Sequence, residues 1–167
     1  MKILIVSDSH GNDRCIAMAL DREWPIDAMF HLGDVQEDED EFALILAGEE
    51  APIYMVRGNC DYYSSVAMDR IVELEGHRIL MTHGHTHGVS FGTDELAELA
   101  LQNDCEIVVY GHTHRPEIDD STQGLLILNP GSIAYPRQRG RKKSYMVLEL
   151  EKGKKPEAWI RYIESRW

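Results

Sequence analysis

Nearly continuous apolar runs, each ending in glycine or polar residues, recur along the first third of the chain. Such runs predict strands that are buried on both faces, because a half-exposed strand would alternate apolar and polar residues. Three runs fit this description: KILIVS (2–7), DAMFHLGD (27–34) and PIYMVRGN (52–59).

Two helices are predicted between these strands. Residues 13–23 follow Asn12, which is a suitable N-cap, and precede Pro25. The segment EDEDEFALILAG (37–48) begins with acidic residues, which favour a helix N-terminus, and ends in glycine. The resulting β-α-β-α-β order favours a parallel sheet covered by helices.

Hairpin patterns follow in the rest of the chain. RIVELEGHRILMTHG (70–84) predicts two strands joined at Gly76-His77, and TDELAELALQND (93–104) predicts a helix capped by Thr93. We therefore expect an α/β fold in which two mixed β-sheets pack against each other with helices outside, as a single domain over residues 1–167. The remaining predicted strands are EIVVYGHTH (106–114), GLLILNPGS (124–132), SYMVLELEKG (144–153) and PEAWIRYIE (156–164), the last two joined around Lys152-Gly153.

Composition and charge narrow the functional classes. Of the 167 residues, 43% are hydrophobic, which suffices for a core, and the net charge is −12. Such a charge disfavours binding to duplex nucleic acid or anionic membranes, although a local metal site could still attract a small anion.

The three cysteines form no C-x-x-C pair, so we expect reduced thiols and a cytoplasmic location. The first apolar run is too short for a signal peptide, and no apolar stretch is long enough to span a membrane.

Candidate chemistry gathers at the carboxyl ends of five predicted strands, the edge of an open α/β sheet where binding sites form. The pairs Asp8/His10 and His112/His114 are spaced i, i+2, which in extended chain lets both members of a pair reach one centre. Oxygen and nitrogen donors without thiolates are typical of sites for Mn, Fe, Zn, Co or Ni. The five stretches are SDSHG (7–11), LGD (32–34), RGNCD (57–61), THGH (82–85) and GHTH (111–114).

Each stretch taken alone has a simpler explanation. Asp or Asn beside Gly is common in turns, and a single His at a strand end is usually a hydrogen-bonded core or turn residue. The five stretches together, in this order, favour one shared metal site.

The ordered set resembles the calcineurin-like metallophosphoesterase superfamily, whose pattern is D-x-H, GD, GN-H/C-D/E, H and GH-x-H. NPGS (129–132) followed by Pro136-Arg137 is similar to the small prokaryotic phosphodiesterase branch of that superfamily. The resemblance implies a four-layer αββα sandwich. It also implies an enzyme that hydrolyses phosphodiesters by a hydroxide bridging two divalent metal ions, with Mn as the first choice and Ni, Fe, Zn, Co or Mg as alternatives.

The resemblance further implies seven metal ligands in two groups that share one bridging carboxylate, Asp34. Asn59 would contact both a metal and a phosphate oxygen of the substrate. The two GHTH copies would serve this site unequally, because the ligand in the first copy is the preceding His83. The first group is Asp8, His10 and His114, and the second is Asn59, His83 and His112.

Residue 60 departs from many relatives, which have His there. A thiol is a poor proton donor to a leaving group, so phosphodiesters with good leaving groups should be preferred to phosphomonoesters; otherwise Cys60 only lines the pocket. His85 is the remaining candidate to assist the leaving group. Arg115 is either a contact for a substrate phosphate or a solvent-exposed side chain.

Other polar residues have less defined roles. His31 either orients a ligand or is a packed core residue. His87 is predicted to be a surface residue, and His77 has no assigned role. The basic run RQRGRKK (137–143) either contacts an anionic substrate or forms a surface loop, and the acidic run at 37–41 is predicted to be the solvated start of a helix.

Three other functions compete with a diesterase acting on a small substrate. A non-catalytic metal-binding scaffold that binds a protein partner, like the retromer subunit that resembles this superfamily, would lack part of the ligand set, whereas all seven positions are filled here. An amidohydrolase would need H-x-H after its first strand and a barrel of about 250 residues. The charge argues against nucleic acid as a partner except as a substrate. The natural substrate, the physiological metals and the formation of a homo-oligomer stay open.

Overall fold

The described part of the chain contains ten strands and two α-helices. The strands form two five-stranded sheets. The computed structural model describes residues 1–36, 51–62, 64–122 and 124–163. The predicted helix 37–48, with its acidic run 37–41, lies outside these residues. The helices are α1 (Asp13–Glu23) and α2 (Asp94–Gln102). The strands are β1 (Lys2–Val6), β2 (Ala28–His31), β3 (Ile53–Met55), β4 (Asp69–Leu74), β5 (His77–Thr82), β6 (Ile107–Tyr110), β7 (Pro116–Asp119), β8 (Leu126–Pro130), β9 (Ser144–Glu149) and β10 (Glu157–Tyr162).

Both sheets are mixed, and each has a parallel centre. The first sheet has the order β10-β9-β1-β2-β3, in which β1, β2 and β3 are parallel. The second has the order β4-β5-β6-β8-β7, in which β5, β6 and β8 are parallel. The register pairs Val6 with His31 and His31 with Met55, so the carboxyl ends of the first three strands lie level. The loops that follow them therefore start side by side.

Alternating residues of the central strands pack in two directions. Ile5 and Phe30 of the first sheet meet Met81 and Val109 of the second in the inter-sheet core. The intervening residues of β1 and β2 pack under α1, and those of β5, β6 and β8 pack under Leu96 and other apolar residues of α2. Burial of both faces explains the continuous apolar runs, and the predicted two-sheet sandwich flanked by helices is confirmed. The extent of the domain over 1–167 stays a prediction.

Several predicted strands are longer than the observed ones. The predictions 27–34, 52–59 and 106–114 included the loops that follow β2, β3 and β6, where the backbone leaves the extended conformation. The predictions 124–132, 144–153 and 156–164 also overran their strands, which are β8, β9 and β10. Strand β7 was not predicted, because its four residues include a proline and two acids.

The helix caps differ from the prediction in one respect. Helix α1 begins at residue 13 and ends at residue 23 as predicted, and α2 is two residues shorter than 93–104 at its C-terminus. Asn12 and Thr93 occupy the N-cap positions, but neither side chain makes a capping hydrogen bond. Among the described residues, no helix combines the length and the apolar character needed to cross a bilayer.

Glu23 fastens the end of α1 to the first sheet. Its carboxylate accepts a hydrogen bond from the buried Tyr145 hydroxyl at 2.8 Å and lies 3.1 Å from Lys2 Nζ. Burial opposes ionisation, but the Tyr145 hydrogen bond and Lys2 outweigh it and lower the pKa of Glu23. The carboxylate is thus stabilised in the folded protein.

We expect Glu23→Ala to lower the free energy of unfolding by about 2–3 kcal/mol at pH 7, because the Tyr145 hydroxyl loses its buried acceptor. The lowered pKa means that the charge-dependent part of this contribution is fully present above the usual range of glutamate and is lost progressively as pH falls from there through the lower folded-state pKa. Urea unfolding at several pH values measures both effects. The exposed Asp21→Ala on the same helix is the control and should change stability by less than about 0.5 kcal/mol. A difference between wild type and Glu23→Ala that persists unchanged at pH 3 would contradict this account.

Candidate metal centre

Loops that follow β1, β2, β3, β5 and β6 meet at one edge of the sandwich. The first two run side by side, since Asp8 N–H donates to Gly33 O at 3.0 Å and His10 N–H donates to Asp34 O at 2.9 Å. The loop after β3 joins them through Asp61, whose carboxylate accepts the backbone N–H of Asp34 at 2.8 Å. The edge carries all seven predicted ligands: Asp8, His10, Asp34, Asn59, His83, His112 and His114.

The backbone of this edge is unusual. Five of the seven residues have φ between 45° and 65°, a region that non-glycine residues rarely adopt: Asp8, His10, Asp34, His112 and His114. Such conformations persist only where the surroundings hold them, and they concentrate at functional sites. The extended-chain argument for the i, i+2 pairs is therefore wrong, because both pairs lie in left-handed turns. As a result, His112 and His114 point toward different neighbours, Asn59 and Asp8.

Four of these side chains form a first group around Asp8. One ligand atom from each of Asp8, His10, Asp34 and His114 lies within 4.8 Å of every other. His114 Nε2 is 3.0 Å from Asp8 Oδ1, and its Nδ1–H donates to Tyr135 O at 2.6 Å. Asp8 Oδ2 accepts the Ser7 hydroxyl at 2.6 Å. The buried Oδ1 has no hydrogen-bond partner within the described residues, although His114 Nε2 lies close to it.

Asp8 and His114 each shift the pKa of the other toward its charged form. Burial opposes ionisation of Asp8, but His114 and His83 outweigh it and lower its pKa. Burial likewise opposes protonation of His114, and Asp8 outweighs it and raises its pKa. Asp8 is thus an anion at neutral pH, aimed at an imidazole nitrogen.

Three side chains form a second group around Asn59. Asn59 Oδ1 is 3.2 Å from His83 Nε2 and 3.0 Å from His112 Nδ1. The far nitrogen of His83 is occupied, because Nδ1–H donates to Leu32 O at 2.6 Å. Asp34 lies between the two groups, with Oδ2 3.8 Å from His10 Nε2 and Oδ1 3.6 Å from His83 Nε2.

This arrangement fits divalent cations. His83 and His114 each donate their Nδ1 proton to a backbone carbonyl, so Nε2 of each ring faces the site, where a bound cation would take the place of a proton. Converging acceptors repel one another unless a cation lies among them. Nitrogen and oxygen donors of this kind suit Mn, Fe, Ni, Zn or Co, and backbone carbonyls commonly orient such histidines.

The predicted catalytic and substrate-binding residues lie around the ligands. His85 is half-buried, with its ring centroid 5.3 Å from that of His83. Burial, followed by the charges of His83 and His112, lowers the pKa of His85. Cys60 Sγ accepts the Asn59 amide at 3.3 Å, and burial and the charge of Asp34 raise the thiol pKa to about 11. Arg115 is exposed just after His114.

The other histidines have structural partners. His31 is fully buried; its Nδ1 accepts Gly33 N–H at 3.2 Å, and its Nε2 lies 3.0 Å from Ser9 Oγ. Burial lowers the pKa of His31 to about 4, so the ring is neutral at pH 7 and donates to Ser9. His31 is therefore a packed core residue, which was one of the two alternatives. It also supports the two loops that carry the ligands, through Gly33 and Ser9. His87 was predicted to be a surface residue; its side chain is 14% exposed, and its ring lies between two carboxylates.

Sequence analysis assigned no role to several residues that support the site. Asp61 accepts three backbone N–H groups, from Asp34, Gly58 and Gln36, although it stands within the quoted GNCD motif. Asn129 donates to Gly111 O at 3.0 Å, and Ser132 donates to Asp8 O at 2.9 Å. Asn129 and Ser132 are the first and last residues of the NPGS motif, so that motif was the sequence signal for both.

Comparison with known proteins identifies the family pattern over most of the chain. Residues 1–153 match the calcineurin-like phosphoesterase superfamily domain. The chain is 34% identical to the probable metallophosphoesterase YsnB of Bacillus subtilis over 152 residues, which cover 90% of this chain and 85% of that protein. It is 29% identical to phosphodiesterase YfcE of Escherichia coli, with 89% and 88% of the two chains covered. A predicted phosphoesterase of Streptococcus pneumoniae superposes with a TM-score of 0.78 at 30% identity, covering 96% of this chain and 97% of that one.

Proposed function

The chain belongs to the calcineurin-like phosphoesterase superfamily and is a hydrolase, and we propose that it cleaves small phosphodiesters at a centre of two divalent cations. One observation carries the proposal: the buried Asp8 Oδ1 has no hydrogen-bond partner within the described residues and lies 3.0 Å from His114 Nε2 and 4.0 Å from His83 Nε2. The relationship to phosphodiesterase YfcE supports the choice of a diester.

The ligands divide between the two cations, and Asp34 would contact both. When bound, the cations would supply positive charge to hold the phosphate and would activate the attacking water. Mn is our first choice, and Ni, Fe, Zn, Co or Mg remain alternatives. Asp8, His10 and His114 would hold the first cation, and Asn59, His83 and His112 the second.

The protein's own residues position the reacting groups. The backbone carbonyls of Leu32 and Tyr135 orient His83 and His114, so that their inner nitrogens stay free to bind. Asn59 lies at the mouth of the second group, where its amide can contact a phosphate oxygen. His85 lies beside His83 and would contact the leaving oxygen, and the exposed Arg115 would contact the phosphate.

The thiol at position 60 supports a preference for diesters. It stands where many relatives have an imidazole, and it is a poorer proton donor. Leaving groups that depart without full protonation should therefore react best. The three free cysteines fit a reducing compartment, and on that ground we propose a cytoplasmic location.

We expect the metal-stripped protein to be inactive and added Mn to restore hydrolysis of an aryl phosphodiester, at least about tenfold faster than the matched aryl phosphomonoester. Cys60→His should shift this ratio toward the monoester, because an imidazole can protonate the leaving group. Cys60→Ser, which adds no comparable acid, is the matched control and should keep the wild-type ratio.

Two results would count against the proposal. Hydrolysis that survives complete metal removal would exclude metal dependence, and a faster monoester reaction would exclude the diester preference. If Mn, Ni, Fe, Zn, Co and Mg all fail to support turnover while two metal ions are bound per chain, the scaffold hypothesis takes the place of the enzyme hypothesis.

A further inference from the structure

His85 lies in a short segment that has little regular structure to hold it. Residues His85–His87 form one 3-10 turn between Gly84 and Gly88, with φ of 91° and 60° respectively. Left-handed glycines at both ends make the segment a discrete turn that neither continues β5 nor begins α2. Its orientation must therefore be set by contacts made from the turn itself.

His87 supplies such contacts on both sides of its ring. Its Nε2 lies 3.0 Å from one carboxylate oxygen of Asp69 and 3.1 Å from the other, and its Nδ1 lies 3.3 Å from Glu95 Oε1. A carboxylate only accepts hydrogen bonds, so either ring nitrogen of His87 can donate to the carboxylate beside it. Asp69 is the first residue of β4, and Glu95 lies in the first turn of α2. His87 thus ties the turn to a strand and a helix.

The opposite end of the same turn faces the metal centre. The ring of His85 is 5.3 Å from that of His83 and 6.2 Å from that of His112, measured between centroids. Its Nδ1 is buried and has no hydrogen-bond partner within the described residues. The other ring nitrogen, Nε2, is therefore the atom that can give an N–H to an oxygen of a bound substrate.

We propose that His87 is a positioning residue, which holds the 85–87 turn so that His85 donates a hydrogen bond to the leaving oxygen of the phosphodiester. This inference rests on the proposed diesterase function. His87 itself does not contact the substrate; it acts through His85. A displacement of about 1 Å at such a position can reduce the rate about 10²-fold, so loss of the contacts of His87 with Asp69 and Glu95 should affect catalysis as well as folding.

The test compares wild type, His85→Ala, His87→Ala and the double variant on methyl phosphodiesters whose leaving groups range from 4-nitrophenol to a simple alcohol. We expect His87→Ala to lower kcat about tenfold for the alcohol and much less for 4-nitrophenol, with little change in KM. In the His85→Ala background, removal of His87 should have no further effect, since residues that act through one another are not additive.

His77→Ala is the matched control. His77 also pairs with a carboxylate, Glu106 at 2.8 Å, but it lies at the start of β5, whereas His85 follows the end of that strand. The control should leave kcat and its dependence on the leaving group unchanged. His87→Arg, which can donate hydrogen bonds to both carboxylates, should recover part of the loss.

The outcomes separate this inference from the proposed function. Equal losses for all leaving groups, or additive losses in the double variant, would overturn the positioning role. If wild type shows no metal-dependent turnover, the proposed function fails, and the imidazole ¹⁵N chemical shifts of His85 in the Zn-loaded protein still test the contact. Relative to wild type, the His85 shifts should change in His87→Ala and stay the same in His77→Ala. If they are unchanged in His87→Ala as well, the inference is overturned.

Discussion

Replacement of Asp34 by Asn is expected to reduce phosphodiester hydrolysis by about 10³-fold or more, which corresponds to about 4 kcal/mol of transition-state stabilisation. Asp34 lies between the two ligand groups, with one oxygen facing His10 and the other facing His83. An amide has the same shape but no charge, and only one of its terminal atoms can bind a cation. Metal content should accordingly fall below two ions per chain, as measured by elemental analysis after gel filtration.

The metal-free fold should tolerate this change. Asp34 Oδ1 accepts Cys60 N–H at 2.8 Å, and an Asn side-chain oxygen can accept the same hydrogen bond. We expect the free energy of unfolding of the metal-free protein to change by less than about 1 kcal/mol. Asp120→Asn makes the same substitution at an exposed position and should leave activity and metal content unchanged. Wild-type activity in Asp34→Asn would remove Asp34 from the proposed centre.

The architecture was predictable because burial dictates it. Strands β1, β2, β5 and β6 pack on both faces, so their sequences are continuously apolar and stand out from amphipathic helices. Strand β7 could not be recognised, because this four-residue strand buries little of its surface and, within the described residues, lies at the edge of its sheet beside β8. Strand ends were overestimated because a local pattern does not show where the backbone turns left-handed, as it does at Asp34 and His112.

The residues of the candidate site could be predicted from the sequence, but the hydrogen bonds that orient them could not. Ordered motifs placed Asp, Asn and His at strand ends, and parallel strands bring such ends together. The orientation of His83 depends on the carbonyl of Leu32, which is 51 residues away, and that of His114 on Tyr135. A backbone carbonyl carries no sequence signal, because every residue has one. The partners of His87, Asp69 and Glu95, are also separated from it in sequence. The sequence around His87 therefore gave no sign of a partner, and a surface position was predicted.

Gly58 links the backbone packing of two loops to the proposed metal centre. It does not need a left-handed conformation, so its role is the space that it leaves for Asp34. A methyl group at this position would overlap Asp34 N and Oδ1 and would approach Cγ to 2.9 Å. Both Gly58 N–H and Asp34 N–H donate to the same oxygen of Asp61, at 2.8 Å each. Displacement of Asp34 would therefore also break the contact that joins the two loops.

We expect Gly58→Ala to lower the free energy of unfolding of the metal-free protein by about 3 kcal/mol, because the overlap is with backbone and cannot be relieved by a rotamer change. Metal affinity should fall about 10- to 100-fold, as is usual when the support of a ligand is disturbed. Urea unfolding and metal titration measure the two effects separately. Gly124→Ala is the control: its φ is +80° and its surroundings are open, so it should cost about 1 kcal/mol of backbone strain and leave metal affinity unchanged. If Gly58→Ala is destabilised but binds metal like wild type, the position of Asp34 does not depend on this contact, because the loop can then adjust without moving the carboxylate.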